Sequence, residues 1–569
     1  MTCFLIPMIV ESLFKSHRSR QYTLLAFYTG YVFLAICHYR TESFFDINLF
    51  FENIGILFYK ESVEIVSSRF KGKDIFFFLF FFSFIFFNGL VKRKFINPSF
   101  VASRKKGILY LGLYFLLIFS GFNRFDEVGV FTSDAYSYLF KPLKLNSYAK
   151  SILKEDYPFI HKELHAVSAS QMVADPPHIF VIPIESFNAN FAESKTKDGR
   201  FYTPFFNSLI KKGVYVENFF GNSIQTAKGF FGILCSMVPK TTGKVFEKDY
   251  LNNFLCLPEI LKGKGYTNLY YQSFGDLNFD NKLRFYQNNH FDKIEALSLG
   301  DISEKERAEN VWGWGPQDNL LYKDIFKKMD KLNKAQEKKK FFVSMLGVSS
   351  HMMFDKVPKN QRMLFPENRT KKEKYANAIR VVDKYLEVFF QELEKRDYLK
   401  NSIVIITGDH SFPVGEHGLY HSERGFYNEF FKVPLLILWK DKLRPQRIKK
   451  RSYSQLDISP TILDLIGVKT SNHFQGVSIL KKKKVLQYLV QPYSGKYLSI
   501  VDYPLKYVFH EKSRTEYLFD LEKDQGESEN LISLILSGEI KKKVDFFREK
   551  LGYFYVNDIL IEENRVWKD

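Results

Sequence analysis

The chain has 569 residues, a formal net charge of +19, 46% hydrophobic residues and only four cysteines. This length exceeds one ordinary domain, and the composition changes along it: residues 1–122 are rich in blocks of Phe, Leu and Ile, whereas the remainder is mixed and charged. The Lys and Arg residues are spread through loops without an aromatic binding module, which argues against a nucleic-acid partner. A lipid bilayer with an anionic surface accounts for the charge better.

Residues 1–122 are predicted to form an N-terminal transmembrane α-helical bundle. The candidate spans are residues 22–39, 44–59, 75–91 and 108–122. The span at 44–59 contains two acids and could instead be an interfacial helix, and residues 3–10 form a further short apolar run, so four or five segments are expected. Six Lys or Arg residues and no acid lie in 92–106, which marks that loop as cytoplasmic and everything after residue 122 as outside.

Residues 123–175 are expected to be a helical linker that ends at the sequence Asp175-Pro176-Pro177. Beyond it, short apolar runs alternate with helical patterns, which is typical of an α/β domain with a largely parallel central sheet. The expected strands are HIFVIPIES (178–186), YTNLYYQSF (266–274), KFFVSMLGV (340–348), SIVIITGDH (402–410) and VPLLILW (433–439). The expected helices are residues 203–212, 257–263 and 372–396. Cys235 and Cys256 could pair in an outside-facing domain, but their spacing does not show that they do.

Thr226 stands between polar residues and the apolar run FFGIL, a pattern that mounts a hydroxyl at the N-terminus of a helix. Backbone N–H groups and the positive end of the helix dipole gather there, so an anion such as a phosphoryl group is favoured. The alternative interpretation is a Thr that only caps the helix.

Acidic and His side chains follow three of the expected strands. Glu185 closes the first strand, His351 follows the third, and Asp409 and His410 close the fourth. Parallel sheets bind ligands at the carboxyl ends of their strands, so we expect these side chains to meet there. Carboxylates and an imidazole suit a divalent ion, which lowers the pKa of a nearby hydroxyl and neutralises developing phosphoryl charge. Taken singly, each residue could be a solvated strand end.

Longer motifs resemble one known family. They are IPIESF (182–187), TPFFNSLIKKGVYVENFF (203–220), QTAKGFFGILCSMVP (225–239), CLPEILKGKGYTN (256–268), GDHSFPVGEHG (408–418), VPLLI (433–437), DISPTILDLIG (457–467) and YLFDLEKDQGESENL (517–531). Together they resemble the alkaline-phosphatase-like sulfatases, and among these the lipoteichoic acid synthase type, which are membrane-embedded phosphoglycerol transferases. The resemblance implies that residues 176–569 are an extracytoplasmic sulfatase-like catalytic domain on the outer face of a bacterial inner membrane.

The resemblance also implies roles for individual residues. Glu185, Thr226, Asp409 and His410 would ligate one divalent metal ion, with Mn²⁺ expected first and Mg²⁺ or Zn²⁺ as alternatives. Thr226 would be the nucleophile. His351 would contact the phosphate and could also protonate the leaving alkoxide.

The substrate region departs from the family pattern. Where phosphoglycerol synthases carry a Phe-Trp-Asn-Arg element, this chain has FDNK at 279–282, so a Lys supplies a point charge without bidentate phosphate recognition. The expected substrate-binding residues are His351, Lys282, Asp280 and Trp314, although Trp314 could instead fill the core. His417 and His421 are expected to support the site without ligating the metal.

The predicted reaction moves a phosphoglycerol, or a related phosphoryl-alcohol headgroup, from a membrane phospholipid to an envelope glycan or glycolipid through a phosphothreonine. Phosphatidylglycerol is the expected donor, and no nucleic acid takes part. The alternatives are a phosphoethanolamine transferase and a sulfatase-like phosphodiesterase or hydrolase. An ordinary sulfatase is disfavoured because Cys235 lacks the Cys-x-Pro-x-Arg context.

Overall fold

The computed structural model describes residues 145–161, 173–335, 339–481, 485–534 and 538–568, together with scattered positions between 9 and 131. The chain divides into two compact units, residues 1–143 and 144–569. Part of the predicted linker belongs to the second unit. Its described residues begin at 145 and include a short helix, α1 (Ser147–Ile152).

The described positions of the first unit are mostly helical, among them 22–24, 26–31 and 108–110. None of the helices within those described positions combines the length and the apolar character that crossing a bilayer requires. The predicted span at 75–91 and the basic loop at 92–106 lie outside the described residues, as do most residues of the other predicted spans. The transmembrane bundle therefore stays a prediction.

An eight-stranded sheet forms the centre of the second unit. Its strands are β1 (His178–Ile184), β2 (Val214–Phe220), β3 (Tyr266–Gln272), β4 (Lys293–Ala296), β7 (Lys340–Leu346), β8 (Ser402–Gly408), β9 (Leu435–Trp439) and β10 (Gln446–Ser454), and the two-residue strands β5 (Val311–Trp312) and β6 (Gly315–Pro316) pair separately. The strand order is β10-β2-β9-β8-β1-β7-β3-β4, and every neighbouring pair is parallel except the two that involve β9. All five predicted strands are present, which confirms the largely parallel α/β architecture.

Helices cover both faces of this sheet. They are α2 (Pro204–Ile210), α3 (Thr226–Cys235), α4 (Val245–Lys248), α5 (Leu257–Lys262), α6 (Lys282–Asn288), α7 (Glu304–Asn310), α8 (Asp318–Ala335), α9 (Lys371–Lys395), α10 (Asn428–Phe431), α11 (Ile458–Leu465), α12 (Gly538–Lys550) and α13 (Gly552–Glu562). Successive side chains of a strand point to opposite faces, and β1 shows the result. Ile179 and Val181 pack with α3, α5 and α11, whereas Phe180 and Ile182 pack with α2, α8 and α9.

The longest described helix, α9, coincides with the predicted helix at 372–396 to within one residue at each end. Its start is fixed by a capping box in which the Thr370 hydroxyl accepts the Glu373 N–H and the Glu373 carboxylate accepts the Thr370 N–H. Twelve of its residues are buried, and this burial stabilises the helix although many of its other residues are charged.

A smaller antiparallel sheet follows the main one in the chain. It consists of β11 (Gln487–Gln491), β12 (Tyr497–Asp502), β13 (Leu505–His510) and β14 (Glu516–Asp520). The helices α12 and α13 pack on this sheet. The Asn146 side chain caps α1 and also donates to the Glu549 carbonyl at 2.8 Å, so the middle of the predicted linker is attached to α12. A disulfide joins Cys235, the last residue of α3, to Cys256 directly before α5.

Candidate active site

The site lies where the predicted strands end. Strands β1 and β8 are parallel neighbours in which Ile184 stands opposite Gly408, so the next residues along each strand, Glu185 and Asp409, emerge side by side. Strand β7 flanks β1 on its other side. The Ser350 hydroxyl, beyond the end of β7, donates to the Glu185 carbonyl at 2.6 Å. Three strand ends are therefore tied together at one edge of the sheet.

Glu185, Asp409 and His410 form a buried cluster whose potential ligand atoms all lie within 4.8 Å of one another. The Asp409 Oδ1 accepts the N–H groups of Ser186 and His410, at 2.9 and 2.7 Å. Its Oδ2 is buried and has no hydrogen-bond partner among the described residues. An orphaned, fully buried carboxylate oxygen is unfavourable unless a cation or a proton satisfies it.

The His410 ring completes the cluster. Its Nδ1 lies 2.9 Å from the Ser411 carbonyl, an arrangement in which Nδ1–H donates and Nε2 faces the carboxylates. That Nε2 lies 3.4 Å from a Glu185 oxygen and 3.6 Å from the Asp409 Oδ2. The donor set of two carboxylates and one imidazole fits a divalent metal ion, because the unsatisfied oxygen and the oriented nitrogen converge.

The pKa shifts in the cluster also fit a bound cation. Burial and the neighbouring charge of Glu185 raise the pKa of Asp409. Burial acts to lower the pKa of His410, but Asp409 and Glu185 outweigh it, so the pKa of His410 is raised. Each shift records an excess of negative charge in a buried space, which a bound cation would relieve.

Thr226 is the first residue of α3, as the sequence predicts. The residue that caps this helix is Gln225, so the Thr226 hydroxyl is not used as the cap. Instead it donates to the Glu185 Oε2 at 3.5 Å, and it also helps to lower the pKa of Asp409. A half-buried hydroxyl thus lies at a helix N-terminus and beside both carboxylates.

His351 and Trp314 form one wall next to the cluster. The centroids of the two rings are 4.2 Å apart, and both side chains contact the Met352 carbonyl, at 2.9 Å for the His351 Nδ1 and 2.7 Å for the Trp314 Nε1. With Nδ1 occupied in this way, Nε2 is the His351 atom left to face a substrate. Burial acts to raise the pKa of Glu185, but His351, His410 and the Ser186 hydroxyl together outweigh it, so the pKa of Glu185 is lowered.

Asp280 and Lys282 are buried at the start of α6. Asp280 forms an ion pair of 2.7 Å with Lys244, a residue that sequence reasoning did not single out. Burial lowers the pKa of Lys282, while Asp280, Glu185 and Asp409 act to raise it. Lys282 therefore lies within electrostatic reach of Glu185 and Asp409, whereas the Asp280 carboxylate forms its ion pair with Lys244.

His417 and His421 lie on the segment that follows β8. The His417 Nδ1 is 2.8 Å from the Glu429 carboxylate, its Nε2 is 2.7 Å from the Gly526 carbonyl, and its ring stacks on Tyr427. Both ring nitrogens thus engage other residues, and His417 fastens its own segment to the loop after β14. His421 is half-buried, and its carbonyl accepts the N–H of Arg424.

The sequence is similar to known proteins over the region that builds this site. The sulfatase family profile matches residues 177–468, and the profile of the N-sulphoglucosamine sulphohydrolase C-terminal region matches residues 415–551. Lipoteichoic acid synthase 2 of Bacillus subtilis is 26% identical over 326 residues, which is 54% of this chain and 48% of that protein. The lipoteichoic acid synthase of Staphylococcus aureus is 26% identical over 325 residues with the same coverage. The chain thus spans about half the length of the curated relatives it matches.

Solved structures give the same fold. The lipoteichoic acid synthase LtaP from Listeria monocytogenes superposes with a TM-score of 0.56 at 21% identity, covering 73% of this chain and 97% of that one. A protein of the alkaline phosphatase superfamily from Vibrio parahaemolyticus superposes with a TM-score of 0.60 at 19% identity, covering 76% of this chain and all of that one. Because the family profile covers just over half of the chain, this chain belongs to the sulfatase family, and its sequence and fold are similar to those of lipoteichoic acid synthases.

Proposed function

We propose that the chain is a metal-dependent transferase that moves a phosphoglycerol, or a related phosphoryl-alcohol headgroup, from a membrane phospholipid to a hydroxyl of an envelope glycan or glycolipid. The observation that carries this proposal is the position of the Thr226 hydroxyl, at the N-terminus of α3 and 3.5 Å from Glu185 in the carboxylate–imidazole cluster. The similarity to lipoteichoic acid synthases supports phosphatidylglycerol as the donor.

Glu185, Asp409 and His410, with the Thr226 hydroxyl, would hold one divalent ion, and we expect Mn²⁺ before Mg²⁺ or Zn²⁺. When bound, this ion supplies Lewis acidity, which favours the deprotonated hydroxyl and neutralises charge on the phosphoryl group. The buried Asp409 oxygen without a partner and the inward Nε2 of His410 are the features of this chain that fit such an ion.

Before the first step, the Thr226 hydroxyl gives its proton to solvent. Its oxygen then attacks the phosphorus of the donor, and the bond from phosphorus to the diacylglycerol oxygen breaks. The N-terminal N–H groups of α3 stabilise the negative charge that develops on the phosphoryl oxygens. His351, whose Nε2 is left to face the substrate, gives a proton to the departing alkoxide, which leaves as diacylglycerol.

In the second step, a hydroxyl of the acceptor attacks the phosphorus of the phosphothreonine, and the bond to the Thr226 oxygen breaks. His351, now neutral, takes the proton of the acceptor hydroxyl, and Thr226 leaves as the alkoxide with which the cycle began. Lys282, which lies within electrostatic reach of Glu185 and Asp409, would contribute a positive charge to the site. Water as the acceptor would give the phosphodiesterase alternative.

A donor that stays in the bilayer requires a catalytic domain close to it. The apolar runs in residues 1–122 and the basic loop at 92–106 support a multi-pass protein of the bacterial inner membrane whose catalytic domain lies on the outer face. A disulfide in the second unit agrees with an oxidising, extracytoplasmic location.

The proposal is tested by release of the lipid headgroup. The full chain, purified in detergent with Mn²⁺, is given phosphatidylglycerol or phosphatidylethanolamine with a fluorescent acyl chain, and the fluorescent diacylglycerol is quantified. We expect release from phosphatidylglycerol, its loss in Thr226→Ala, partial retention in Thr226→Ser, and a ³²P-labelled or mass-shifted Thr226 peptide when acceptor is omitted.

Three outcomes would redirect the assignment. Release from phosphatidylethanolamine alone would move the protein to the phosphoethanolamine transferases. Release that survives in Thr226→Ala would refute the phosphothreonine intermediate. Metal binding without release from either lipid would mean that the site around Asp280 and Lys282 takes another donor.

A further inference from the structure

Gln455 is a fully buried side chain that lies between the Asp409 backbone and the loop leading to Thr226. Its Nε2 donates to the carbonyls of Gly408 and Asp409, at 2.9 and 2.6 Å, and its Oε1 accepts the N–H of Asn222 at 3.1 Å. Both protons of the amide and its oxygen are therefore used. One side chain thus joins the end of β8, which carries the Asp409 carboxylate, to the segment between β2 and α3.

The surrounding packing leaves little freedom for this junction. A Cβ on Gly229, in the first turn of α3, would lie 2.0 Å from the Asp409 carbonyl oxygen and 3.3 Å from the Gln455 Nε2. A Cβ on Gly221 would lie 3.7 Å from the same nitrogen. Helix α3 therefore rests almost directly on the Asp409 peptide, and the Gln455 amide fills the space that remains.

We propose that Gln455 is a positioning residue that fixes the Asp409 carboxylate relative to Thr226. The Asp409 Oδ1 is already committed to two N–H groups, so the direction of Oδ2 follows from the orientation of the backbone that Gln455 holds. This inference rests on the metal site of the proposed function. Residues that orient a ligand from outside the coordination sphere set how well the ligand atoms converge, and their loss weakens metal binding about 10–100-fold.

The hydrogen-bonding groups around Gln455 require a side-chain amide. Two carbonyl oxygens face Nε2, so a carboxylate oxygen there would meet them without a proton to donate, and a Met side chain would leave both carbonyls and the Asn222 N–H unsatisfied. Gln455→Glu changes no volume, and Gln455→Met changes little, so both variants remove the hydrogen bonds while the space stays filled.

A matched control lies away from the site. Gln487, at the start of β11, is also buried, and its Nε2 also donates to two carbonyls, those of Ser452 and Val485, each at 3.3 Å. Gln487→Met therefore removes the same kind of interaction at a side chain that has no hydrogen bond to Asp409 or Asn222 itself, although the carbonyl of the next residue, Tyr488, accepts a hydrogen bond from the Asn222 Nδ2.

The experiment measures Mn²⁺ affinity by titration calorimetry on the full chain in detergent, together with the unfolding temperature of the metal-free protein. For Gln455→Glu and Gln455→Met, we expect Mn²⁺ affinity to fall about 10–100-fold. For Gln487→Met, we expect the unfolding temperature to fall while the Mn²⁺ affinity stays that of the wild type.

Each alternative result has a defined meaning. Wild-type Mn²⁺ affinity in both Gln455 variants would overturn the inference and leave the proposed function intact. A failure of both variants to fold would also overturn it, because Gln455 would then serve the fold as a whole. Absence of Mn²⁺, Mg²⁺ and Zn²⁺ binding in the wild type, by contrast, would refute the metal site of the proposed function itself.

Discussion

The contact between α3 and the Asp409 peptide can be tested directly by Gly229→Ala. The added Cβ would stand 2.0 Å from the Asp409 carbonyl oxygen and 3.0 Å from its carbon, and real Cβ atoms essentially never come within 3.0 Å of such atoms. The clashing atoms belong to the Asp409 backbone, so they cannot move aside by a change of side-chain rotamer. The helix and the strand end must therefore separate by about 1 Å, which moves Thr226 relative to Asp409.

The energetic cost follows from two opposing effects. Overpacking of this kind costs about 1–3 kcal/mol, whereas Ala is favoured over Gly inside a helix by about 1 kcal/mol. Gly232 lies one turn further along the same helix, and the nearest atoms to its Cβ are 3.5–3.6 Å away, which is ordinary contact. Gly232→Ala should therefore gain the helix propensity without the clash. The free energies of unfolding of the two variants should differ by about 1–3 kcal/mol, with Gly229→Ala the less stable.

The assay is equilibrium unfolding of the full chain in detergent without metal, followed by Mn²⁺ titration of each variant. Gly229→Ala should also bind Mn²⁺ more weakly than Gly232→Ala, because the displaced strand end carries the Asp409 carboxylate. Equal stability and equal Mn²⁺ affinity in the two variants would refute the close approach of α3 to Asp409 as the feature that sets the geometry.

Three further predictions concern stability outside the site. Burial raises the pKa of Asp383 from 3.8 to about 6, so the folded state binds this proton more tightly than the unfolded state does. The free energy of unfolding should therefore fall by up to about 3 kcal/mol as pH rises from 4 to 6. In Asp383→Asn, the free energy of unfolding should depend less on pH across that range. Lys506 and Glu527 form a buried ion pair of 2.7 Å, so Lys506→Met should cost about 3–5 kcal/mol, and adding Glu527→Gln should recover part of that loss in denaturant unfolding. Reduction of the Cys235–Cys256 disulfide, whose cysteines are 21 residues apart, should lower stability by about 2–4 kcal/mol, and a Cys235→Ser, Cys256→Ser variant should unfold identically with and without reductant.

The core of the site could be predicted from sequence because strand ends are local signals. Glu185 and Asp409 each directly follow an apolar run, and the carboxyl ends of parallel strands meet at one edge of the sheet whatever the order of the strands. Thr226 was identified for the same reason, since the first residue of an apolar helix is visible in the chain. Three local patterns thus predicted a cluster that only the fold brings together.

Other parts of the fold left no comparable pattern. Strand β10 was not predicted because it is an edge strand whose exposed positions carry Arg and Lys, so its sequence, QRIKKRSYS, resembles a loop. The antiparallel direction of β9 was not predicted either, because an apolar run reads the same in both directions. Gln455 and Lys244 act through partners that are tens or hundreds of positions away, and a lone buried Gln or Lys carries no periodic signal.

The buried charges bear on the substrate as well as on the fold. Two carboxylates of the cluster, Glu185 and Asp409, balance the charge of one divalent ion, and the ion pair with Lys244 balances Asp280. Lys282 forms no ion pair within the described part of the chain; its Nζ lies over the Phe279 ring, and burial lowers its pKa while Asp280, Glu185 and Asp409 act to raise it. Burying that charge is costly unless an anion approaches it, and one negative charge is what a phosphodiester brings. We therefore expect Lys282→Met to weaken turnover of an anionic donor far more than Mn²⁺ binding.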